Sequence, residues 1–587
     1  MSPEAVYALC KHCGVPRSTT LSHRPVVLGD FTVTPRMLVI AALAIPIGAG
    51  GAVAALAMLR VIGLVTNLVF MHSAATSLIA PGSRPHPWWL ILAAPIAGGL
   101  IVGVMARYGS EKIRGHGMPE ALEAILTGGS RVAPRVAVLK PLSAAISIGS
   151  GGPFGAEGPI IMTGGAIGSI LAQALRLTAD ERKILLVAGA ASGMEATFNA
   201  PLAAVLLAVE LLLFEWRPRS FVPVTAAVVT ATICRGPLLG TAPIFPVATH
   251  GLTAGTGAEL LCVVAGLTGG ALAVAATWLV YRAEDAFARL PVHWMWWPAI
   301  GGVIIGAGGL IVPRALGVGY DVIDTLLNGR ATLSLIVGIL LVKTAIWSLS
   351  LGSGTSGGVL APMFMIGGAL GALEGRAFPV VFAGFWAMMG LAAVVAGVMR
   401  SPLTGVVFTL ELTHAWSALL PLVIAATSAY ALSALTLKRS VLTEKIARRG
   451  LHLTREYSTD PLETFFVRDV VDTAGTVPEM SDAPVVHDDE TLRTAAYLLA
   501  ESDQPAITVV SRADRRPYGQ LRVADLLVAR LHDLTEEHHR QRHLPAPHSP
   551  IRRALRRRPA SVADSDTTIA NESSAEPGTG RPSECVR

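Results

Sequence analysis

Charge is what this chain has least of. Only 15% of its 587 residues are Asp, Glu, Lys or Arg, where a soluble chain carries about 25%, and its mean hydropathy is +0.54. That shortfall excludes an ordinary soluble globular protein and makes a bilayer the expected solvent. Cysteine is also sparse: five residues, scattered, exclude a disulfide framework. Cys10-Lys11-His12-Cys13 has metal-like spacing, but no second Cys-x-x-Cys pair follows, so no metal site is assigned. Cys234 and Cys262 lie in apolar runs and read as packing residues. The first 30 residues are polar and lack the apolar core of a signal peptide. No nucleophile–base set, metal-ligand cluster or phosphate loop stands in a supporting context. The chain is therefore not expected to be an enzyme, and no cofactor is assigned.

What is present is long apolar sequence. The windows 88–106, 260–281, 294–313 and 415–437 contain no charged residue, and 37–70 contains one, Arg60. Each meets the roughly 18 apolar residues that predict a membrane-spanning helix. Basic residues crowd the start of the chain (Lys11, Arg17, Arg24, Arg36) and the stretch after the last apolar run (Lys438, Arg439, Lys445, Arg448, Arg449). By the positive-inside tendency both termini are cytoplasmic, which predicts a multi-pass cell-membrane protein with an even number of crossings. The basic tail (Arg552, Arg553 and Arg556–Arg558) reads as a solvated or membrane-surface segment, with no nucleic-acid partner.

Four regions follow: a cytoplasmic lead over 1–35, a membrane body over 36–450, a small soluble α/β module over 465–532 and a disordered tail over 533–587. In the module a helix is expected over 491–500, a strand over 506–510, a turn over 513–517 and a second helix over 523–531. Within the body, apolar segments are interrupted by Gly and Pro at 149–161, 193–202 and 352–362. Irregular backbone at membrane depth is tolerated only inside protein or along a polar cavity. Such breaks at corresponding places of two halves, here 37–235 and 260–437, predict an inverted-repeat transporter with a midplane site. Ala200-Pro201-Leu202 followed by Glu210 is echoed by Ser401-Pro402-Leu403 followed by Glu411.

Three short stretches share one design: Gly115-His116-Gly117-Met118-Pro119, Gly155-Ala156-Glu157-Gly158-Pro159 and Gly358-Val359-Leu360-Ala361-Pro362. Each is rich in small residues and runs into a helix-like segment through a Pro, which suits the first helical turn. A helix start presents unpaired N–H groups and a partial positive charge. Three such starts converging on one point would hold an anion without a full positive charge. Glu157, a carboxylate beside helix starts, is itself an anion able to occupy that site and to leave it when protonated.

These motifs, in this order and spacing, resemble those of the CLC family of chloride channels and chloride/proton antiporters, over about 36–450. The resemblance implies an all-α membrane fold of tilted and broken helices in inverted repeats, assembled as a homodimer with one pore per subunit. It implies a chloride or similar small anion as substrate, protons as a second one in the antiporters, and Glu157 as gate and proton carrier. The soluble module resembles a single CBS domain. Several positions depart from the family pattern. His116 stands for the Ser that donates to the central anion, Ala156 for a basic residue and Leu360 for a Phe. Leu211, after Glu210, stands for the inner proton glutamate, and Leu442 for the inner-gate Tyr. Glu195 is an additional acid, read either as a substitute proton relay with Glu210 or as a member of a buried pair. Lys140 is expected to support the field around the site or to form a structural pair. In the CBS-like unit Asp525 matches a ribose-binding Asp, but Arg522 fills the hydroxyl position. The expected function is chloride transport through a pore gated by Glu157, as a channel or an antiporter; the alternative is a secondary transporter for another inorganic or organic anion.

Overall fold

A computed structural model describes residues 31, 34–249, 251, 253–451, 461–471, 485–502, 504–513 and 516–527. The Cys10–Cys13 stretch, the lead over 1–30 and the tail from 528 onward lie outside the described residues. Two compact units divide the chain, one spanning Val27–Tyr457 and one that includes Ser458–Arg587.

The large unit is helical, and its composition says why. With no water to satisfy peptide groups, a spanning segment closes its hydrogen bonds within itself. Among the described residues seven helices are long and apolar enough to cross a membrane. Five match the apolar windows of the sequence: α1 (Arg36–Thr66, running on to Met71 as a π-turn), α2 (Trp88–Tyr108), α9 (Thr256–Ala288), α10 (Trp297–Ile311) and α17 (Leu419–Thr436). Two more, α8 (Pro218–Leu239) and the broken pair α12 (Leu333–Gly338) and α13 (Thr344–Gly352), were hidden in sequence by internal Pro, Arg and Lys. Small residues let these helices approach closely, as membrane bundles require. At Gly99 of α2, for example, a Cβ would collide with the Pro298 carbonyl of α10.

The remaining helices are short and start inside the unit. They are α3 (Met118–Leu126), α4 (Pro134–Gly149), α5 (Glu157–Ala174), α6 (Ala179–Phe198), α7 (Pro201–Leu207, extended by a π-turn to Leu213), α11 (Tyr320–Leu327), α14 (Leu360–Glu374), α15 (Phe385–Met399), α16 (Pro402–Thr413) and α18 (Val441–Arg448). The breaks expected at 149–161, 193–202 and 352–362 all separate consecutive helices.

The two halves echo each other in detail. Lys140 on α4 donates to the carbonyls of Ile113 (2.8 Å) and Gly115 (2.6 Å). Lys343, before α13, donates to those of Ala315 (2.8 Å) and Gly317 (2.7 Å). Asn199 and Arg400 both take left-handed backbone and end α6 and α15 just before Pro201 and Pro402. Glu210 Oε2 accepts from Thr404 N–H at 3.0 Å, capping α16. Glu411 accepts from Leu202 and Ala203 N–H at 3.0 and 2.8 Å, capping α7. Each half thus supplies the carboxylate that satisfies orphan donors at the other half's helix start.

The small unit contains α19 (Pro461–Thr464), β1 (Val485–His487), α20 (Leu492–Ser502), β2 (Ala506–Val510) and β3 (Pro517–Arg522). β1 pairs parallel with β2, with Val486 opposite Val509, and β2 pairs antiparallel with β3, with Thr508 opposite Gln520. Its core is Val467, Val486, Leu492, Leu499, Ile507, Val509 and Leu521. The helix and strand expected over 491–500 and 506–510 are present. The turn over 513–517 ends earlier than expected, because Pro517 already pairs with Val510. β3 carries an internal Gly and weak alternation, so only the backbone of β2 makes it a strand. Residues 523–527 are helical; the rest of the expected second helix lies outside the described residues.

Candidate functional site

The three Gly- and Pro-rich stretches meet. Met118, Glu157 and Leu360 are the first residues of α3, α5 and α14, with Pro119, Pro159 and Pro362 in their first turns. The connecting backbones are stitched together across the two halves. Gly358 N–H donates to the Gly155 carbonyl at 2.7 Å and Gly155 N–H returns to Gly358 at 3.3 Å, while Gly115 N–H donates to Gly354 at 3.2 Å. Gly117, at φ +85°, takes left-handed backbone that turns the chain into α3.

Around this junction lies a small cavity of about 10 Å³, lined by His116, Met118, Glu157, Gly158, Val359 and Leu360 with Ile161, Leu207, Met399 and Leu442. That is room for one water-sized occupant. Ala156, Ala361 and Pro362 are buried behind it. The Glu157 carboxylate is 2% exposed and accepts from Ala361 N–H, at the start of α14, at 3.1 Å. Its Oε2 is buried without a hydrogen-bond partner among the described residues. A Cβ at Gly155 or Gly358 would collide with this carboxylate, so only glycine leaves it room. Glu157 therefore rests where helix N–H groups point, as an anion would.

A second, more open cavity of about 500 Å³ shares His116 with the first. Arg114, His116, Glu120, Glu123, Tyr281, Glu284, Lys445, Arg448 and Arg449 are among its walls. Its charges are largely paired: Glu120 accepts from Arg449 at 2.9 Å and lies 3.6 Å from Lys445, and Arg448 pairs with Asp285. His116 lines both cavities. Its Nδ1 is buried without a hydrogen-bond partner among the described residues. Leu442 adds an apolar side chain to the inner wall, and Tyr281 reaches the neighbouring Val441 carbonyl from α9.

The other sequence candidates are not at this cavity. Lys140 holds backbone carbonyls that shape the first motif. Glu210 is engaged with Thr404 as a cap. Glu195 is fully buried, with Thr232 and Arg235 of α8 as polar neighbours. No ion pair links it to Arg235 among the described residues; the Arg235 Nε donates instead to the Ala196 carbonyl at 3.0 Å. In the small unit Asp525 already accepts from Arg522 N–H at 2.7 Å. Lys343, Met399 and Tyr320 were missed in sequence, although Gly317-Val318-Gly319 repeats the spacing of Gly115-His116-Gly117 and marks the region.

Residues 98–434 match the sequence profile described as voltage gated chloride channel, which is more than half of the chain. The chain belongs to the voltage gated chloride channel family. Among similar proteins in this family, the voltage-gated ClC-type chloride channel ClcB of Citrobacter koseri is 29% identical over 65% of this chain and 93% of its own length. The H(+)/Cl(-) exchange transporter ClcA of Salmonella arizonae is 33% identical over 49% of this chain and 64% of its own. A slow cyanobacterial Cl−/H+ antiporter shares the fold at a TM-score of 0.61 and 23% identity, covering 71% of this chain and 99% of that one. A CLC-type fluoride/proton antiporter does so at 0.58 and 18% identity, covering 68% and 97%. The large unit is a mostly helical CLC-type membrane fold.

Proposed function

We propose that this protein carries chloride across the cell membrane through a CLC-type pore in which Glu157 is the gate. One observation carries the reading: the three motifs enclose a cavity for a single small occupant, and the Glu157 carboxylate fills the adjacent anion position at the start of α14. A carboxylate held by backbone N–H groups competes with a halide for the same donors, and protonation ends its claim on them. The cavity volume favours a monatomic anion over an organic one. The open vestibule is the cytoplasmic entrance, because Lys445, Arg448 and Arg449 line it and belong to the basic stretch that follows the last span. The anion passes from that vestibule, past His116, to the cavity and then to Glu157. Family resemblance supports a homodimer, both termini in the cytoplasm, and a CBS-like role for the small unit in folding or dimer contact, since its Asp525 is occupied by backbone.

The relatives are named both as channel and as exchanger, so proton coupling is the open variable. Chloride efflux from liposomes holding the purified protein, with external pH recorded at the same time, tests the proposal. Chloride flux accompanied by uphill proton movement identifies an antiporter and flux alone a channel; absence of chloride flux at every pH overturns the assignment.

Glu210 is assigned as a cap. The Glu210→Gln variant keeps an acceptor for Thr404 N–H and is expected to move chloride and any coupled protons as the parent does. Glu210→Ala is expected to lose about 1–2 kcal/mol of stability, read as a lower thermal midpoint. Loss of proton movement in Glu210→Gln would place this residue on a proton path.

A further inference from the structure

The helix whose start holds Glu157, α14, also belongs to an aromatic cluster. Phe198 at the end of α6 packs edge-on against Phe364 of α14 (centroids 6.3 Å, 87°) and Phe408 of α16 (5.0 Å, 69°). Tyr320, the first residue of α11, joins this cluster through Phe198 (6.4 Å, 70°) and Phe245 (5.8 Å, 68°). These T-shaped contacts fix the ring. Its hydroxyl is buried and has no hydrogen-bond partner among the described residues. A buried O–H left unpaired is unfavourable, so the group calls for a reason. α14 connects the two groups: its first-turn Ala361 N–H holds Glu157, and Phe364, one turn on, packs against the Phe198 that contacts Tyr320; Glu157 also carries an unpaired buried oxygen, Oε2. Two orphaned buried polar atoms, one able to donate and one to accept, thus stand on elements joined through α14.

Building on the gate assigned to Glu157, we propose that the Tyr320 hydroxyl is the receiving group for the Glu157 carboxylate when it leaves the α14 start. Side-chain rotation of Glu157 exchanges the Ala361 N–H for the phenol O–H and vacates the helix-start donors for the permeating anion. The donor is a neutral hydroxyl, so it holds the ionised carboxylate without trapping it as an ammonium would. Lys343 acts on Glu157 through its charge, but its Nζ donates to the Ala315 and Gly317 carbonyls. Among the described residues lining the cavity, His116 is the other titratable side chain. Tyr320 is a positioning residue: it acts through Glu157 and needs no contact with the anion. Its consequence is opening without prior protonation, which matters most at alkaline pH.

The test is Tyr320→Phe, which keeps the ring and its packing, measured as chloride efflux from liposomes between pH 5 and pH 8, alone and combined with Glu157→Gln. A hydrogen bond to a charged group is worth about tenfold in an equilibrium. The expected result is roughly tenfold slower efflux at pH 8, little change at pH 5, and no effect of Tyr320→Phe once Glu157 is Gln. Equal efflux to the parent at all pH values overturns the proposal. So does an equal slowing at every pH that persists in the double variant, because that marks a structural defect. If Glu157→Gln alone leaves the pH profile unchanged, the gate assignment fails first, and the receiving role falls with it.

Discussion

Replacing Glu157 by Gln is expected to leave chloride flux running and to flatten its dependence on pH. Gln has the same shape, so its amide oxygen still accepts from Ala361 N–H, and the glycine-lined space at Gly155 and Gly358 still accommodates it. What it lacks is the negative charge that competes with a permeating anion for the α14 donors. In the parent, lowering the pH neutralises the carboxylate and frees the site, so flux rises as pH falls. A gate set by one titrating group changes the rate by up to about tenfold per pH unit across its titration; the variant should change by less than about twofold over the same range. The same substitution should abolish any coupled proton movement, since the carboxylate that lines the cavity can no longer take up and release a proton. Simultaneous chloride and pH recording from liposomes reads both effects. A variant that keeps the parent's pH profile would show that Glu157 is only a helix cap.

Lys343→Met should be nearly as damaging, for a different reason. The ammonium is fully buried and donates to the carbonyls of Ala315 and Gly317. Charge-assisted bonds of this kind are worth about 1.5–3 kcal/mol each, and the thioether leaves both carbonyls orphaned. The thermal midpoint of purified protein should therefore fall by several degrees. Removing a positive charge from beside Glu157 also weakens the field that holds anions, by on the order of 1–2 kcal/mol, or about tenfold in chloride affinity. Lys140→Met should behave alike, because Lys140 makes the matching pair of bonds in the other half. Parent-like stability and parent-like chloride affinity in Lys343→Met would make that ammonium incidental to the site.

Much of this was legible before any coordinates. The five charge-free or nearly charge-free windows became spanning helices, since length and apolarity alone decide whether a segment can cross. The three Gly- and Pro-rich stretches also declared themselves, because a helix start that faces a ligand needs small residues and a first-turn Pro wherever it sits in the fold. The spans over Pro218–Leu239 and Leu333–Gly352 did not, since their Arg, Pro and Lys residues read as interruptions until partners are known.

Other features had no sequence signal. In sequence Glu210 reads as a proton-path acid; that its carboxylate also caps α16 at Thr404, nearly two hundred positions away, shows only in the fold. Lys343 reads as a break in an apolar run until the carbonyls of Ala315 and Gly317 close around it. Tyr320 reads as one more aromatic residue. The sequence alone determined that this is a membrane chain with three anion-type helix starts and a candidate gating carboxylate, because those properties follow from local composition and local backbone chemistry. Only the tertiary structure decided that the three starts share one small cavity, that His116 lines both it and the vestibule, and which helix starts Glu210 and Glu411 cap. Those are distances between residues far apart in the chain, and they are set by how two halves pack rather than by either half alone.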